Sequence, residues 1–564
     1  MKFRPFHPAS ICAAACLAVA LTLPARAASP APEPAPDADN GGLALPPGFR
    51  ALIVADNLVL DKKTGKSSER LRGIAVAPNG DLYAKLVRGT ILAMRDSDGD
   101  GRVDVIKEFG PGDGGTHIMF HDGWLYHSSR TAVYRYKYVP GELVPSGELQ
   151  TIVKDLPAEK DHDAKAFAFD ESGHMIVEVG SPYNVYSKPD RQFGAKGMDA
   201  TEFQKTYGGF WEFDANKQGQ TQADGTRFST GHRHSLALAR QPISKQYFMV
   251  MMGRDNMNVV APDYYDALDN AERVSEEMHR LTRGVNLGWP YTYWDPIKKA
   301  RMIAPEFGGD NRKRAEVGKY DEPVIAFPAH WAPLQMAFYT GTQFPAHYHN
   351  GAFVSFHGSW NRAPQPQDGF KVVFVPFDDK GAPLGTYEEF AHASSEPKFR
   401  MGGVAIGPDG SLYLGETDKG RIWRVIYTGE TSAAPATAAT IIPAAAAVPV
   451  PLDPVLKRGQ EAYVQICAAC HMADGSGAGQ MNAPLAGSAV IAGSATQLID
   501  VVLRGPSAVL SADRAKFANS MPPFPLLRDE QIADILTYLR SQLVRPASSA
   551  ITATEVAKRR ALLH

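Results

Sequence analysis

Residues 73–84, Gly-Ile-Ala-Val-Ala-Pro-Asn-Gly-Asp-Leu-Tyr-Ala, form an alternating pattern on either side of an Asn-Gly pair. Such alternation predicts half-buried strands, and Asn-Gly is a strong signal for a tight hairpin turn. Residues 166–177 and 403–414 repeat the pattern, and weaker copies begin near His117, Leu236 and Met336. These recurring units predict a mainly β protein folded as a six-bladed β-propeller. A large β-sandwich is the alternative, but repetition over this length favours radial blades.

A second kind of signal lies at residues 467–471, Cys-Ala-Ala-Cys-His. Two thiols at this spacing attach a c-type haem, and the adjacent histidine binds its iron. A zinc or redox dithiol is the alternative, but zinc needs more ligands and the one later histidine is His564. Helix starts after Asp453 and Ser494, and apolar spacing over 532–539, predict a small all-α cytochrome c domain.

The second iron ligand is predicted from a short choice of methionines. Met472 adjoins His471 and Met481 is close to it in sequence, whereas Met521 lies in a later Met-Pro-Pro-Phe-Pro run. The prolines exclude a helix there and favour an extended loop that can present the thioether. Filling of the core is the alternative role of Met521. Histidine and methionine ligation predicts a haem that carries electrons and does not bind oxygen.

The first residues have the features of an export signal. Lys2 and Arg4 precede an apolar run, and residues 25–27, Ala-Arg-Ala, form a small-residue cleavage site. Removal of this signal also removes Cys12 and Cys16. The two haem cysteines are then the remaining thiols. We therefore expect a periplasmic protein without disulfides.

Composition divides the rest of the chain. Pro- and Ala-rich stretches predict a disordered leader and a semi-rigid linker. The expected order is signal 1–27, leader 28–44, propeller 45–428, linker 429–451, cytochrome c domain 452–543 and tail 544–564. With 59 basic and 61 acidic residues, the charge argues against a nucleic-acid partner. Prolines interrupt the last long apolar stretch, so we expect no membrane span after the signal.

Several separated motifs in the propeller region follow one order. Asp161-His162-Asp163 precedes Gly-His-Arg-His at 231–234, Gly-Arg-Asp at 253–255 and Gly-Val-Asn-Leu-Gly-Trp-Pro at 284–290. His-Gly-Ser-Trp-Asn-Arg at 357–362 and Arg400 come later. In this order residues 45–427 resemble the glucose/sorbosone dehydrogenase family, most closely its sorbosone-type branch. The last domain resembles the cytochromes fused to quinoprotein alcohol dehydrogenases.

The resemblance implies pyrroloquinoline quinone (PQQ), calcium and a set of site residues. PQQ carries three carboxylates, which the planar fork of arginine can bind. His162 is implied as the general base and Asp163 as its orienter or a calcium ligand. The implied cofactor residues are Arg72, Arg233, His357, Trp360, Asn361, Arg362 and Arg400, beside Cys467 and Cys470 for the haem. The implied calcium residues are Gly253, Arg254, Glu276 and Glu277, beside the iron ligands His471 and Met521.

These assignments have ordinary structural alternatives. The alternative for His162 is an ordinary surface histidine without a catalytic role. The alternative for the arginines is a solvated position at a strand edge. The chain also departs from soluble glucose dehydrogenases, since His234 follows Arg233 and Gly402 stands two residues after Arg400. The family's cofactor lysine has no clear equivalent, which leaves the sugar open.

A loop between strands has the oxygen spacing of a calcium site. The acidic side chains occupy positions 1, 3, 5 and 9 of residues 96–107, but position 12 is Lys107 and not glutamate. A structural calcium site and a plain acidic turn are equally compatible with this pattern. The residues concerned are Asp96, Asp98, Asp100 and Asp104.

The leading hypothesis is a periplasmic dehydrogenase that oxidises a sugar or a related alcohol or aldehyde. Electrons would pass from PQQ to the haem c and on to an external acceptor, a cytochrome c or a membrane quinone system. A calcium-dependent propeller hydrolase of the lactonase type is one alternative. A non-catalytic propeller that docks a redox partner to the haem is the other.

Overall fold

The computed structural model describes residues 34–429 and 453–563, apart from 62, 66, 159–160, 360, 364, 396–397, 472–474, 476, 478–481, 512–516, 518–520 and 545–548. The predicted signal, all but one residue of the predicted linker, and Trp360, Met472 and Met481 lie outside the described residues. Among the helices that the structure describes, none is both long enough and apolar enough to cross a membrane.

The described strands of residues 34–429 form mainly antiparallel sheets, and six of these sheets are the blades of a propeller, as predicted. Before the first blade lie β1 (Leu43–Ala44) and β2 (Phe49–Ala55). The first blade has β3 (Leu71–Val76), β4 (Leu82–Leu86), β5 (Ile91–Arg95) and β6 (Val105–Phe109). The second has β7 (Ile118–His121), β8 (Trp124–Ser128), β9 (Val133–Lys137) and β10 (Gln150–Val153).

The third and fourth blades carry insertions. The third has β11 (Phe167–Phe169), β12 (His174–Val179), the added hairpin β13 (Ser187–Lys188) and β14 (Lys196–Gly197), then β15 (Gly209–Asp214) and β16 (Thr226–Thr230). The fourth has β17 (Ala237–Arg240), β18 (Tyr247–Met251), β19 (Glu276–Leu281) and β23 (Ile325–Phe327). Its insertions are α1 (Met257–Val260), α2 (Ala267–Glu272), β20 (Val285–Asn286), β21 (Thr292–Asp295) and β22 (Ala300–Ile303).

The N-terminal strands close the ring. The fifth blade has β24 (Pro333–Phe338), β25 (Ala352–Phe356), β26 (Lys371–Val375) and β27 (Glu388–Ala393), and β1 pairs with β27. The sixth has β28 (Met401–Ile406), β29 (Leu412–Glu416) and β30 (Ile422–Tyr427), and β2 pairs with β30. Since the first and last segments of the propeller share a sheet, the ring is tied together by backbone hydrogen bonds.

Aromatic packing reinforces this closure. The ring of Phe49 in β2 lies edge-on to Phe344, Tyr348 and Phe390, with centroids 4.8, 5.1 and 5.0 Å away. Such pairs contribute about 0.5–1.5 kcal/mol each beyond the area that they bury. The structure also differs here from the expected disordered leader, because Asp37 accepts a hydrogen bond from the Ile53 amide at 2.7 Å. The later part of the leader is therefore folded against β2.

The C-terminal unit is helical, as the sequence predicts. It contains α3 (Pro454–Ile466), α4 (Ala468–His471), α5 (Ala489–Ala492), α6 (Ala495–Arg504), α7 (Asp529–Tyr538) and α8 (Ala553–Ala561). Asp453 accepts a hydrogen bond from the Val455 amide at 2.9 Å and caps α3, with Pro454 in its first turn. Ser494 caps α6, which ends at Gly505. The last helix, α8, lies in the predicted tail and packs against α6 and α7.

Candidate functional site

The predicted site residues of the propeller gather at one end of the blades. In an antiparallel hairpin, the start of the first strand and the end of the second lie at the same edge of the sheet. The predicted residues occupy such positions in different blades: Arg72, His162, Arg233, Gly253, His357 and Arg400. The fold therefore brings together side chains that are far apart in sequence.

His162 is held as a neutral base at this end. Its backbone has a φ of 53°, a left-handed conformation that is uncommon for a side-chain-bearing residue. Nδ1 donates to the carbonyl oxygen of Ser181, which leaves Nε2 with its lone pair. Burial, followed by the charges of Arg233 and His234, holds the pKa of His162 well below its ordinary value. The ring is therefore neutral at pH 7, and the lone pair of Nε2 is available to a substrate proton.

Behind His162 lies a buried carboxylate that the sequence reasoning missed. The ring of His234 is tilted against that of His162 with centroids 4.9 Å apart, and its Nδ1 lies 3.1 Å from Oε1 of Glu178. Glu178 is fully buried, and although burial opposes ionisation, His234 and His232 hold its pKa at about 2. An acidic residue in the apolar strand β12 is the sequence signal that could have found it. Glu178 thus fixes the ring that packs on the candidate base.

Gly231 explains how the strand can deliver these residues. Its φ is +84°, and a Cβ there would lie 2.2 Å from Oδ1 of Asn286. A larger residue would therefore be strained and would collide with the neighbouring loop.

Arg233 is paired with Asp255, a second residue that the prediction did not include. Nη2 of Arg233 lies 2.7 Å from Oδ2 of Asp255, and Nη1 donates to the carbonyl of Gly253 at 3.0 Å. Among the described side chains, Nε of Arg233 is one of the buried polar atoms without a hydrogen-bond partner. This unpaired donor fits an anionic group of a bound cofactor.

Asp255 also organises Asn361. Nδ2 of Asn361 donates to Oδ1 of Asp255 at 2.8 Å, and Nδ1 of His330 lies 3.5 Å from the same oxygen. Burial opposes ionisation of Asp255, but Arg233 and His330 outweigh it and hold its pKa far below the ordinary range. The carboxylate is therefore charged at neutral pH.

Arg72, Arg400 and His357 form a second group. Arg400 Nη1 donates to the His357 carbonyl at 3.2 Å, and Arg72 Nη1 donates to Thr417 Oγ1 at 3.1 Å. Burial, then the charges of Arg72 and Arg400, holds the pKa of His357 well below its ordinary value. His357 Nε2 is buried and has no partner among the described groups. Two cations beside a neutral ring suit a ligand carboxylate.

The structure uses two other predicted residues differently. Arg362 Nη1 donates to the carbonyls of Ala329 and Ala271 at 2.8 and 3.2 Å, so it braces two loops. The carboxylate of Asp163 accepts from Nε of Arg130 at 2.6 Å. The group that holds Nδ1 of His162 is the Ser181 carbonyl and not Asp163.

The Gly253 carbonyl and the Glu276 carboxylate, two of the groups predicted to bind calcium, accept hydrogen bonds in the structure. The Gly253 carbonyl accepts from Arg233, and Glu276 accepts from the amides of Gly253 and Ala332 at 2.8 and 3.0 Å. These oxygens are already hydrogen-bonded, and a guanidinium lies beside them. The neighbouring guanidinium of Arg254 donates to Glu306 at 2.5 Å. Calcium binding at Gly253, Arg254 and Glu276 stays a prediction.

Glu277 takes part in a separate buried ion network. Adjacent residues of a strand point to opposite faces, so Glu277 does not share the surroundings of Glu276. Its Oε2 lies 2.7 Å from Arg301 and 3.0 Å from His279, and its Oε1 accepts from the Trp294 amide. These contacts give Glu277 a structural role.

The acidic loop of the first blade brings three carboxylates together. Oxygen atoms of Asp96, Asp98 and Asp100 all lie within 4.8 Å of one another. The fourth predicted ligand, Asp104, is turned towards Ser97, whose hydroxyl donates to it at 2.6 Å. Three of the four predicted ligands are therefore close enough to share one cation.

The haem segment of the second domain has the chemistry that covalent attachment needs. Cys467 and Cys470 are free thiols, both partly buried. His471 is buried, and its Nδ1 donates to the Ala483 carbonyl at 2.7 Å, which leaves Nε2 available for iron. Met521 is partly exposed in a loop without regular structure. These residues fit a haem c.

The two domains meet at the candidate site. Ala363, which follows Arg362 in the propeller, is buried in the same apolar cluster as Tyr463 of α3. Asn361, two residues before Ala363, donates to Asp255 at 2.8 Å. The cytochrome domain therefore contacts the propeller end that carries Asp255.

Comparison with known families agrees with this division. A family model described as TrAA12-like matches residues 66–428, and one described as cytochrome c matches residues 456–542. The first match alone covers more than half of the chain.

Similar proteins match each part separately. The cytochrome c subunit of a quinone alcohol dehydrogenase from Gluconacetobacter polyoxogenes is 35% identical over 104 residues, 18% of this chain and 22% of that subunit. The holo PQQ domain of pyranose dehydrogenase from Coprinopsis cinerea covers 70% of this chain and 98% of its own, with a TM-score of 0.52 and 19% identity. A calcium structure of Carbohydrate-Active Enzymes Family AA12 from Trichoderma reesei has a TM-score of 0.52 and 16% identity, over 68% and 97% of the two chains. These structures share the propeller fold.

Proposed function

The chain belongs to the TrAA12-like family and continues into a cytochrome c domain, and on this premise we propose that it is a PQQ-dependent dehydrogenase of a sugar or related alcohol. Electrons from the substrate would leave through its own haem c to an external acceptor. The chain spans about a fifth of the length of the alcohol dehydrogenase subunit that it matches. The substrate class is supported by the pyranose dehydrogenase whose PQQ domain has the same propeller fold.

The observation that carries this proposal is the contact of the cytochrome domain with the propeller beside the candidate site. Ala363 of the propeller is buried in the cytochrome core cluster, and Asn361, two residues before it, donates to Asp255. A redox cofactor held between Arg233 and Arg400 would thus lie at the end of the propeller that contacts the cytochrome domain. A hydrolase would have no use for this contact.

The residues of the chain have separate tasks in this function. When bound, PQQ accepts two electrons from the substrate, and haem c accepts electrons one at a time. Arg72, Arg233 and Arg400 supply positive charge for the cofactor carboxylates. His162 accepts the substrate hydroxyl proton at Nε2, because the Ser181 carbonyl holds its Nδ1–H.

The haem is proposed to be held by four residues. Cys467 and Cys470 would form the thioethers, and His471 and Met521 would bind the iron. The Ala483 carbonyl orients the His471 ring and increases its basicity as a ligand. Attachment of haem c also supports a periplasmic location, for which we propose residues 1–27 as the export signal.

The test is reduction of the haem by substrate. The full-length protein is purified with its haem but without PQQ. PQQ and calcium are then added, and the haem absorption is followed with a panel of aldoses, polyols and aldehydes. The proposal expects haem reduction that needs both PQQ and a substrate. Lactone hydrolysis without PQQ would instead support a hydrolase, and no reduction with any compound would contradict the dehydrogenase function.

A further inference from the structure

The C-terminal helix α8 is built into the cytochrome domain. Val556 is fully buried in the same apolar cluster as the other helices of the domain. Before the helix, the Ile551 amide donates to Thr537 Oγ1 at 3.0 Å, and that hydroxyl donates back to the Ile551 carbonyl at 3.0 Å. Thr552 and Glu555 form a capping box at its start. Helix α8 is therefore fixed at its start and along its buried face.

Two adjacent arginines of α8 reach two different parts of the domain. Arg559 pairs with Asp500 of α6, and its Nε lies 2.5 Å from Oδ1. Arg560 Nε donates to Asp529, the first residue of α7, at 2.8 Å. Both ion pairs are partly buried. The two arginines thus have similar surroundings but different partners.

Arg560 also binds the loop that carries the proposed iron ligand. Its Nη2 donates to the Leu527 carbonyl at 2.6 Å, and its Nη1 donates to the Pro525 carbonyl. One guanidinium therefore holds two carbonyls of the loop and the start of the helix that follows it. A planar fork can make these contacts together, whereas the ammonium of lysine is a point charge.

The loop from Met521 to Leu527 has few means of holding itself. Its three prolines have no amide hydrogen to donate. Phe524 donates its amide to the Val502 carbonyl at 2.8 Å, which ties the middle of the loop to α6. The contacts from Arg560 come next along the chain and fix the end of the loop. The position of the Met521 side chain therefore depends on anchors outside the loop.

We propose that Arg560 is a positioning residue for the distal haem ligand. By holding the Pro525 and Leu527 carbonyls, it keeps the Met521 loop in place and the sixth iron position closed. This inference rests on the proposed ligation of the haem by His471 and Met521. It assigns a role in electron transfer to a helix beyond the residues that the cytochrome c family model matches.

The test compares Arg560→Gln with Arg559→Gln in the full-length holoprotein. Both variants remove one arginine from the same helix, but the second leaves the Met521 loop contacts intact. The readouts are the weak red absorption band of methionine-ligated ferric haem, the haem reduction potential and the affinity of the ferric haem for added imidazole. Arg560→Lys takes the place of Arg560→Gln should the latter fail to incorporate haem.

We expect Arg560→Gln to weaken the red band, lower the potential and raise imidazole affinity about tenfold, equivalent to about 1.4 kcal/mol. Arg559→Gln should match the wild type in all three readouts. Equal changes in both variants would indicate general loosening of the domain and overturn the inference, as would no change in Arg560→Gln. Met521→Ala must abolish the band in the same assays. If it does not, the proposed ligand is wrong, and this failure is separate from failure of the Arg560 role.

Discussion

Replacement of Asp255 by asparagine should destabilise the propeller because it leaves the charge of Arg233 buried. The side chains of Arg233 and Asp255 are 5% and 18% exposed, and their charged atoms are 2.7 Å apart. Arg233 and His330 lower the pKa of Asp255 against the effect of burial. A carboxyl group with a lowered folded pKa stabilises the protein above its unfolded pKa, and this stabilisation is lost as the pH falls through the folded pKa. The full effect is therefore present at pH 7.

The magnitude follows from the burial of the pair. Removing one partner of a buried ion pair costs about 3–5 kcal/mol, since the other charge is left without compensation. Asparagine keeps an oxygen that can accept from Asn361, so we expect the lower end, about 3 kcal/mol. The control is Glu108→Gln, whose partner Arg88 lies 2.5 Å away but whose pair is 40–51% exposed. Such an exposed pair contributes less than about 1 kcal/mol.

Urea unfolding of both variants at pH 7, followed by circular dichroism, measures this difference. A cost for Asp255→Asn no larger than that for Glu108→Gln would refute the reasoning. Activity gives a second readout, because the charge of Arg233 lowers the pKa of His162. With Asp255 neutralised, that pKa should fall further and the acid limb of kcat/KM should move to lower pH. A shift to higher pH would contradict the proposed arrangement.

Three further predictions concern other charged groups. The buried carboxylate of Glu178 stabilises the protein above its unfolded pKa of about 4, and this stabilisation is lost as the pH falls to the folded pKa of about 2. Glu178→Gln should therefore make the stability depend less on pH in this range. Acid-unfolding curves measure this effect, and Glu171→Gln is the control. The carboxyl of Glu171 also has a pKa of about 2, but it is exposed and solvent screens its ion pairs, so the substitution should change the acid-unfolding curve little. His162→Gln should slow haem reduction by sugar about 10²–10⁴-fold, while dithionite still reduces the haem fully; an unchanged rate with sugar would exclude His162 as the base. Calcium should raise the Tm of the wild type through the Asp96 loop, and Asp98→Asn should lose that increase; an equal increase in both proteins would place calcium elsewhere.

Local patterns were sufficient for the architecture. Alternating residues around Asn-Gly and Asp-Gly predicted the β3–β4 and β28–β29 hairpins, which the structure confirms. Asp453 and Ser494 predicted where α3 and α6 begin. These signals act within a few residues of one another, so a sequence carries them without knowledge of the fold. The haem-attachment segment was likewise predicted from five consecutive residues.

Site residues that act through distant partners were harder to predict. Glu178 was missed because its partners, His232 and His234, belong to the next blade. Asp255 directly follows Gly253 and Arg254 in the chain. Its role in the site depends on contacts with Arg233 and Asn361, which are distant in sequence. Asp163 and Glu277 were grouped with the site by their motifs, whereas hydrogen bonds direct their carboxylates to other partners.

The sequence by itself determined a six-bladed propeller and a c-type haem segment. These follow from periodicity, turn chemistry and one short motif, which are local properties of the chain, whereas the set of arginines and His162 was implied by the family resemblance. The tertiary structure decided which charges are paired and which remain available, because burial and partner geometry set the state of each group. It also decided that the tail is part of the cytochrome domain, since Arg560 meets the Met521 loop only when the helices pack.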